Sequence, residues 1–134
     1  MVPVMVKGFE ELDIYRLAEE LADAIWKLII DWERFARDQV GGQLVRAADS
    51  IGANLAEGRG HGSYKDNCYF ARISRSSFYE TRHFLRRAYR RRLLNDEQIA
   101  QLQPIVQELG PRLNAYIKVL KRKIAQRSET ASNK

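Results

Sequence analysis

Apolar residues in the carboxyl-terminal third of the chain recur every three or four positions, and this repeat limits what the chain can fold into. Its members are Ile99, Leu102, Val106, Leu109, Leu113, Ile117, Leu120 and Ile124. This spacing places them on one face of an α-helix, whereas a strand needs strict alternation, which no segment of the sequence shows. Pro104 and the pair Gly110-Pro111 lie inside the repeat, so we expect a kinked helix and not the end of one.

Three further helices are predicted upstream of this one. They are expected at about 10–33, 44–58 and 64–92, with residues 32–42 as a connector that ends in two glycines. Ser63, with Asp66 three residues later, is the expected N-cap of the third helix, and Asn95 with Gln98 marks the start of the fourth. Four amphipathic helices with short connections favour an all-α fold, an antiparallel up-down-up-down four-helix bundle.

The length of 134 residues suits a single domain. We expect an N-terminal extension over residues 1–8, the bundle over 9–127 and a disordered tail over 128–134. Cys68 is the single cysteine, which excludes an intramolecular disulfide, and the amino terminus lacks the pattern of a signal peptide. No apolar run approaches the roughly 20 residues of a membrane span. A cytoplasmic protein without membrane contact is therefore expected.

Charge is divided unevenly along the chain, whose net charge is +6. Residues 1–58 carry six Lys and Arg against eleven Asp and Glu, while residues 59–92 carry ten against two. This division predicts either a surface that faces a polyanion or subunits that dock an acidic face on a basic one. Helix one also has apolar residues over more of its circumference than one contact needs, and the excess is expected to face another subunit.

A polar stripe lies beside the apolar face of helix two and has a counterpart on helix three. Its members are Arg46, Ser50, Asn54 and Glu57 on helix two and Ser77 and Glu80 on helix three. Because a buried charge is tolerated only when it is paired, we expect a structural network in which Arg46 faces Glu80 or Glu57. Asn54 is expected to satisfy the polar groups that remain. A stripe that is simply solvated is the alternative.

Arginines dominate helix three, and basic residues continue on helix four. The candidate nucleic-acid-binding residues are Arg72, Arg75, Arg82, Arg86, Arg87, Arg90, Arg91, Lys118, Lys121 and Arg122. These arginines of helix three lack acidic residues four positions away, so pairing along the helix does not neutralise them. A run of charge is often only a solvated face, but this pattern favours contact with the phosphates of a nucleic acid.

Signatures of catalysis are sparse in this sequence. Glu80 and His83 have the Glu-x-x-His spacing of bundle metal sites, but a di-iron site needs that motif twice, and this chain has it once. The glycines after helix two lack the preceding strand and the Gly-Lys-Ser/Thr ending of a phosphate loop. No Ser-His-Asp or Cys-His pairing has a supporting sequence motif, so no candidate nucleophile has an identifiable partner base. We therefore expect a protein that is not an enzyme and that binds no metal or cofactor.

Several motifs together resemble the family of four-helix-bundle proteins encoded by intervening sequences in bacterial 23S rRNA genes. These motifs are LVRAADSIGANLAEG at 44–58, the glycine-rich turn after it, a Ser-Tyr-Lys helix start and SSFYE at 76–80. The resemblance covers about 9–124, and Asn-Leu-Ala-Glu-Gly is its most specific part. The chain is also similar to the accessory variability determinant of diversity-generating retroelements.

The resemblance implies a small, non-enzymatic homopentamer in which the polar stripe occupies the family's signature positions. Similarity to the accessory determinant adds RNA or DNA and a reverse transcriptase as partners, and the arginine-rich third helix leans toward this type. The competing class is a structural or protein-interaction subunit encoded in an rRNA intervening sequence, with no role in nucleic-acid binding. A third class is a bundle enzyme that uses Glu80 and His83 with a metal ion.

Overall fold

The computed structural model describes residues 8–9 and 12–132, and this part of the chain contains helices and turns but no strand. The elements in chain order are α1 (Asp13–Ile29), α2 (Arg34–Ala36), a π-helical turn (Arg37–Gly41), α3 (Gly42–Gly60), α4 (Tyr64–Arg90) and α5 (Asp96–Ser132). α1 and α4 each pack on both α3 and α5. The predicted all-α class with four long helices is confirmed. The expected N-terminal extension lies outside the described residues except for Gly8.

The predicted connector before helix two is mostly helical. Glu33 caps α2, because its carboxylate accepts hydrogen bonds from the backbone N–H groups of Phe35 and Ala36 at 3.0 and 2.6 Å. The helical path then continues through the π-helical turn directly into α3. Gly41 is buried, and a Cβ there would lie 2.7 Å from Cγ2 of Ile29. This glycine therefore serves close packing against α1 and does not end a flexible connector.

The last helix runs further than predicted. Pro104 and Pro111 both lie within α5, as expected for prolines that do not end the helix. The helix continues to Ser132, so residues 128–132 of the predicted disordered tail are helical, and residues 133–134 lie outside the described residues. Thr130 and Ser132 each donate a side-chain hydrogen bond to the carbonyl four residues earlier, at 2.9 and 3.0 Å. The hydroxyl groups of the final turn therefore have hydrogen-bond partners within the helix.

The two predicted helix starts around α4 and α5 are confirmed. Oγ of Ser63 accepts a hydrogen bond from the N–H of Asp66 at 3.1 Å. Asn95 and Gln98 form a reciprocal capping box, with side-chain to backbone distances of 2.8 and 2.9 Å. Only five residues separate α4 from α5, and the Asn95–Gln98 box lies at this short connection between two helices that pack against each other.

The hydrophobic core is built mainly from large side chains of three helices. Its fully buried large aliphatic residues are Leu21 and Ile25 of α1, Leu44, Ile51 and Leu55 of α3, and Leu109, Leu113 and Ile117 of α5. α4 contributes two large buried residues, Phe78 and Leu85, and otherwise smaller groups, including Ala71, Ser74, Thr81 and Ala88. Small inward side chains let the α4 backbone come closer to its neighbours than a leucine-lined helix could.

Hydroxyl groups join α3 to α4. Oγ of Ser74 is fully buried and donates to the carbonyl oxygen of Ile51 at 2.7 Å. Ser50 and Ser77 share a hydrogen bond of 2.8 Å, and Nδ2 of Asn54 donates to Oγ of Ser50 at 2.9 Å. These bonds satisfy polar groups that close packing of the two helices removes from water.

The predicted charged part of this network is not present in the described residues. Arg46, Glu57 and Glu80 are all exposed, and no ion pair between described residues includes Arg46 or Glu80. Glu57 instead contacts His61, at 3.2 Å from Oε1 to Nε2. The short polar side chains fit between the helices, while the charged ones lie at the edge, where they stay hydrated and avoid a large desolvation cost.

α4 ends in a turn that glycine usually occupies. Arg92 has a φ of 62°, and its N–H donates to the carbonyl of Tyr89 at 3.0 Å. The N–H of Leu93 donates to the carbonyl of Ala88 at 2.8 Å, which completes a Schellman motif. An arginine in this left-handed conformation costs about 1 kcal/mol relative to glycine.

An acidic surface lies on the outer side of α1 and extends to Asp49 of α3. The exposed carboxylates on these two helices include Glu19, Glu20, Asp23 and Asp49. Partial burial raises the pKa of Asp49 above its usual value, and the nearby charge of Asp23 raises this pKa further. The negative half of the sequence is therefore also a negative face of the fold, and mutual repulsion is present on it.

We expect the hydroxyl bonds, and not the exposed carboxylate, to stabilise the contact between α3 and α4. Ser77→Ala removes the hydroxyl partner of Ser50 and is expected to lower the free energy of unfolding by about 1 kcal/mol. Glu80→Ala is expected to stay within about 0.5 kcal/mol of the parent protein. Urea unfolding at matched protein concentration compares the two. A larger loss of unfolding free energy for Glu80→Ala than for Ser77→Ala would contradict this expectation and support the charged network.

We also expect Asp49 to make stability depend on pH. Because its pKa is raised in the folded state, the stability linked to Asp49 is fully present below its unfolded pKa and is lost as the pH rises through the folded value. Asp49→Asn should therefore raise the melting temperature at about pH 7, with a gain that shrinks toward pH values below about 4. Asp31→Asn, at another exposed position, is the control. An equal gain at both pH values contradicts this interpretation.

Candidate nucleic-acid interface

The outer surface of α4 carries the predicted arginines. Arg72, Arg82, Arg86, Arg90 and Arg91 are exposed, while Arg75 and Arg87 are half-buried. Exposed and buried positions follow the helical period, because the small inward residues occupy the opposite side of the same helix. α4 is therefore an amphipathic helix whose exposed face carries more cations than carboxylates, the exposed carboxylates being Asp66 and Glu80.

The packing of α5 on α4 brings basic residues of both helices together. Nη1 of Arg75 donates to Oδ1 of Asn114 on α5 at 3.2 Å. Around this contact lies the mid-helix groove, with a volume of about 570 Å³. Its lining residues are Arg75, Pro111, Asn114, Ala115, Ile117, Lys118 and Lys121. Three predicted cations from two helices thus share one concave surface.

A second groove lies between the same helices, nearer to the turn that joins them. This turn-proximal groove has a volume of about 380 Å³ and is lined by Arg82, Leu85, Arg86, Tyr89, Ile99, Leu102, Gln103, Val106 and Gln107. The guanidinium carbon of Arg82 lies 5.9 Å from the centre of the Phe78 ring, which supports the side chain at the rim. The Tyr89 hydroxyl donates to Oδ1 of Asp96 at 2.6 Å, and this bond raises the pKa of Tyr89.

The remaining predicted cations do not line either groove. Arg72, Arg87, Arg91 and Arg122 lie elsewhere on the surfaces of α4 and α5 or at the end of α4, and Arg90 lies with Arg92 at the turn between the helices. They enlarge the positive surface beyond the two grooves.

None of the ten predicted binding residues takes part in an ion pair within the described ranges 8–9 and 12–132. Arg112 on α5 shows the contrasting arrangement, since its guanidinium lies 2.8 Å from Glu108 and 3.7 Å from Asp13. The charges of the α4–α5 surface are thus available to an external anion, whereas Arg112 is already neutralised.

A basic and aromatic cluster escaped the sequence prediction. The Tyr64 ring lies under Nζ of Lys123 at 5.2 Å and under the guanidinium of Arg127 at 4.8 Å. These side chains line a further groove of about 520 Å³ between the start of α4 and the end of α5. No local sequence signal marks this cluster, because residues 64 and 123 lie on different helices and meet only through the packing of α5 on α4.

The other candidate chemistries have little support in the geometry. No group of three or more His, Cys, Asp and Glu side chains in the described part of the chain is arranged to hold a metal ion. Glu80 and His83 are both exposed on α4. Across residues 8–9 and 12–132, no helix has the length and apolarity needed to cross a membrane.

Comparison with known proteins gives three findings. The chain resembles a solved protein of unknown function from the S23 ribosomal protein family of Bacteroides thetaiotaomicron, with a TM-score of 0.69 and 24% identity, over 78% of this chain and 98% of that one. At this identity the likeness concerns the fold alone. None of the curated proteins compared matches the chain. The model of the 23S rRNA-intervening sequence proteins matches residues 10–115, and the chain therefore belongs to that family.

Proposed function

We propose that this chain is a non-enzymatic, homo-oligomeric bundle that binds RNA or DNA through the phosphates along α4 and α5. The observation that carries this proposal is the set of ten cations on these two helices, which enter no ion pair among the described residues. Arginine suits this task because its planar guanidinium matches the geometry of phosphate oxygens. Recognition of sequence through a groove-reading module is not part of the proposal. Binding to cellular nucleic acid, together with a single thiol, favours action in the cytoplasm.

An up-down-up-down arrangement of the four long helices is part of this proposal. Ser50 of α3 contacts Ser77 of α4, whereas Gly58, later in α3, contacts Asn67, which is earlier in α4. The two helices therefore run in opposite directions in this proposal. Between α4 and α5, Arg75 bonds to Asn114, whereas Asn67, earlier in α4, forms hydrogen bonds of 3.1 and 3.2 Å with Tyr116, which is later in α5. Antiparallel neighbours place the basic faces of α4 and α5 side by side along their length, which suits a phosphate backbone several nucleotides long.

We propose a homopentamer as the assembled form. Trp26 and Ile30 of α1 remain 55% and 51% exposed, which is unusual for large apolar side chains on a folded surface. With Val45 and Arg46 they border a groove of about 660 Å³ beside the π-helical turn. Burial of this apolar surface against another copy supports an oligomer, and the family resemblance supports five copies. In such a ring the basic surfaces would act together on one nucleic acid.

The similarity to the accessory variability determinant suggests a reverse transcriptase as a protein partner. The arginine-rich α4 supports this extension, since such a partner would share its nucleic acid with the bundle. A gene for this chain beside a reverse transcriptase gene would support it, whereas a position inside a 23S rRNA gene would favour the plainer family role.

A structural or protein-interaction subunit is the second candidate function. It is favoured by the acidic surface on α1 and α3, which is complementary in charge to the basic surface on α4 and α5. Subunits could then dock acidic face on basic face, with no nucleic acid involved. The two functions differ in what charge reversal on α4 disrupts first, nucleic-acid binding or assembly.

The first test is a titration with structured RNA and duplex DNA at about 50 and about 200 mM salt. The parent protein should bind both, with log affinity falling against log salt at roughly −0.7 to −0.9 per phosphate contact. Changing Arg82, Arg86 and Arg90 to Glu should weaken binding by about tenfold or more. Lys27, Arg34 and Arg59 changed to Glu form a control with the same change in net charge, since all three are exposed and lie outside the grooves.

Two results would refute this surface as the site. One is no binding by the parent protein at low salt. The other is an equal effect of the two triple variants while the helical content and the oligomer are unchanged. Loss of the oligomer on reversal of the α4 charges would instead favour the protein-interaction function.

The second test is native mass spectrometry of the full chain. A homopentamer should appear at five times the chain mass of 15.6 kDa. Trp26→Asp places a charge on the exposed apolar surface of α1 and should shift the population toward smaller species. Val119→Asp is the matched control, since Val119 is a 42% exposed residue on α5. A monomer at micromolar concentration for the parent protein would remove the oligomer from the proposal.

A further inference from the structure

The turn-proximal groove contains more than phosphate binding requires. Its floor is aliphatic, with Leu85 and Leu102 buried at 7% and 3% exposure and Ile99 and Val106 half-buried. A phosphate prefers a hydrated, cationic surface and gains nothing from such a floor. A flat aromatic group, by contrast, gains free energy of binding there, because its face leaves water and packs against aliphatic carbon.

The wall of this groove on α5 consists of two glutamines one helical turn apart. Gln103 and Gln107 are exposed, and neither side chain forms a hydrogen bond within the described ranges. Each amide group offers two N–H donors and one carbonyl acceptor. This combination matches the mixed donors and acceptors on the edge of a nucleobase.

The opposite wall belongs to α4 and carries Arg82 and Arg86, also one turn apart. Tyr89 lies beyond them with its ring 42% exposed, and its hydroxyl is held by Asp96 at 2.6 Å. This hydrogen bond restrains the ring, which lowers the entropy lost when an aromatic group stacks on it. The order across the groove is cation, aliphatic floor and amide, which corresponds to the order phosphate, base face and base edge in one nucleotide.

We propose that the turn-proximal groove is a base-binding subsite for single-stranded nucleic acid. The base lies over Leu85 and Leu102, the amides of Gln103 and Gln107 bind its edge, and Arg82 and Arg86 bind the adjacent phosphates. This inference rests on the proposed function, because the basic surface brings the strand to the groove. The volume of about 380 Å³ suits a single small-ligand site, which a double helix cannot enter. Bases within a duplex are stacked and paired, so only an unpaired base can present both its face and its edge.

The experiment removes the amides and leaves every cation in place. The double variant Gln103→Ala with Gln107→Ala is compared with the parent protein by fluorescence anisotropy at about 50 and about 200 mM salt. The three probes are a labelled pyrimidine RNA strand of about 12 nucleotides, the same strand in a duplex, and an abasic strand with the same number of phosphates. Gln39→Ala with Gln101→Ala is the control, since both of these glutamines are exposed and lie outside the groove.

The double variant should bind the single strand about five- to tenfold more weakly than the parent protein. Its affinity for the duplex and the abasic strand should change by less than about twofold, with an unchanged salt slope, because no phosphate contact is lost. The parent protein should also prefer the single strand to the abasic strand. The control variant should match the parent protein on all three probes.

Several outcomes would overturn the subsite. Equal affinity of the parent protein for the single strand and the abasic strand, both salt-dependent, removes the subsite but leaves the phosphate surface intact. No binding of any probe by the parent protein removes the proposed function and the subsite together. A change of oligomeric mass in the glutamine variant, without selective loss of the single strand, assigns the groove to a contact between subunits.

Discussion

The contact between α3 and α4 depends on small side chains and hydroxyl groups, and the positions of the other long helices follow from it. Gly58 lies so close to α4 that a Cβ would fall 2.7 Å from Oδ1 of Asn67. Further along α4, the hydroxyls of Ser74 and Ser77 are buried, and their hydrogen bonds to α3 take the place of hydrogen bonds to water. Large aliphatic residues at these positions would separate the helices and open voids around the core. Most of the large buried aliphatic side chains accordingly come from α1, α3 and α5 and not from α4.

The same arrangement explains how α4 tolerates so many arginines. Its inner face needs few large apolar residues, because close packing and hydroxyl bonds attach it to α3. Its outer face is then free to be polar over 27 residues. Five arginines fall in the last turns or just beyond the helix: Arg86, Arg87, Arg90, Arg91 and Arg92. The negative end of the helix dipole lies there and stabilises cations, which offsets part of their mutual repulsion. Charge is therefore most concentrated where the fold accommodates it best.

The sequence predicts those features that depend on periodicity and capping. The apolar repeat of α5, the Ser63 cap and the capping box at Asn95 need only local chemistry, and all three are confirmed. The role of Gly41 is not local, because nothing near it in the sequence reveals that Ile29 will approach within 2.7 Å of its missing Cβ. A glycine pair after a helix therefore resembles a flexible connector.

The site shows the same division between local and distant information. The exposed arginines of α4 follow from helical spacing, since burying so much charge without partners would be prohibitive. Their arrangement with α5 depends on how α5 packs along α4, which places Gln103 and Gln107 in one groove with Arg82 and Arg86. The predicted pairing of Arg46 failed for a related reason, because the stripe shared by two helices includes positions at the edge of their contact. Sequence spacing identifies a shared stripe but does not distinguish its hydrated edge from its buried centre.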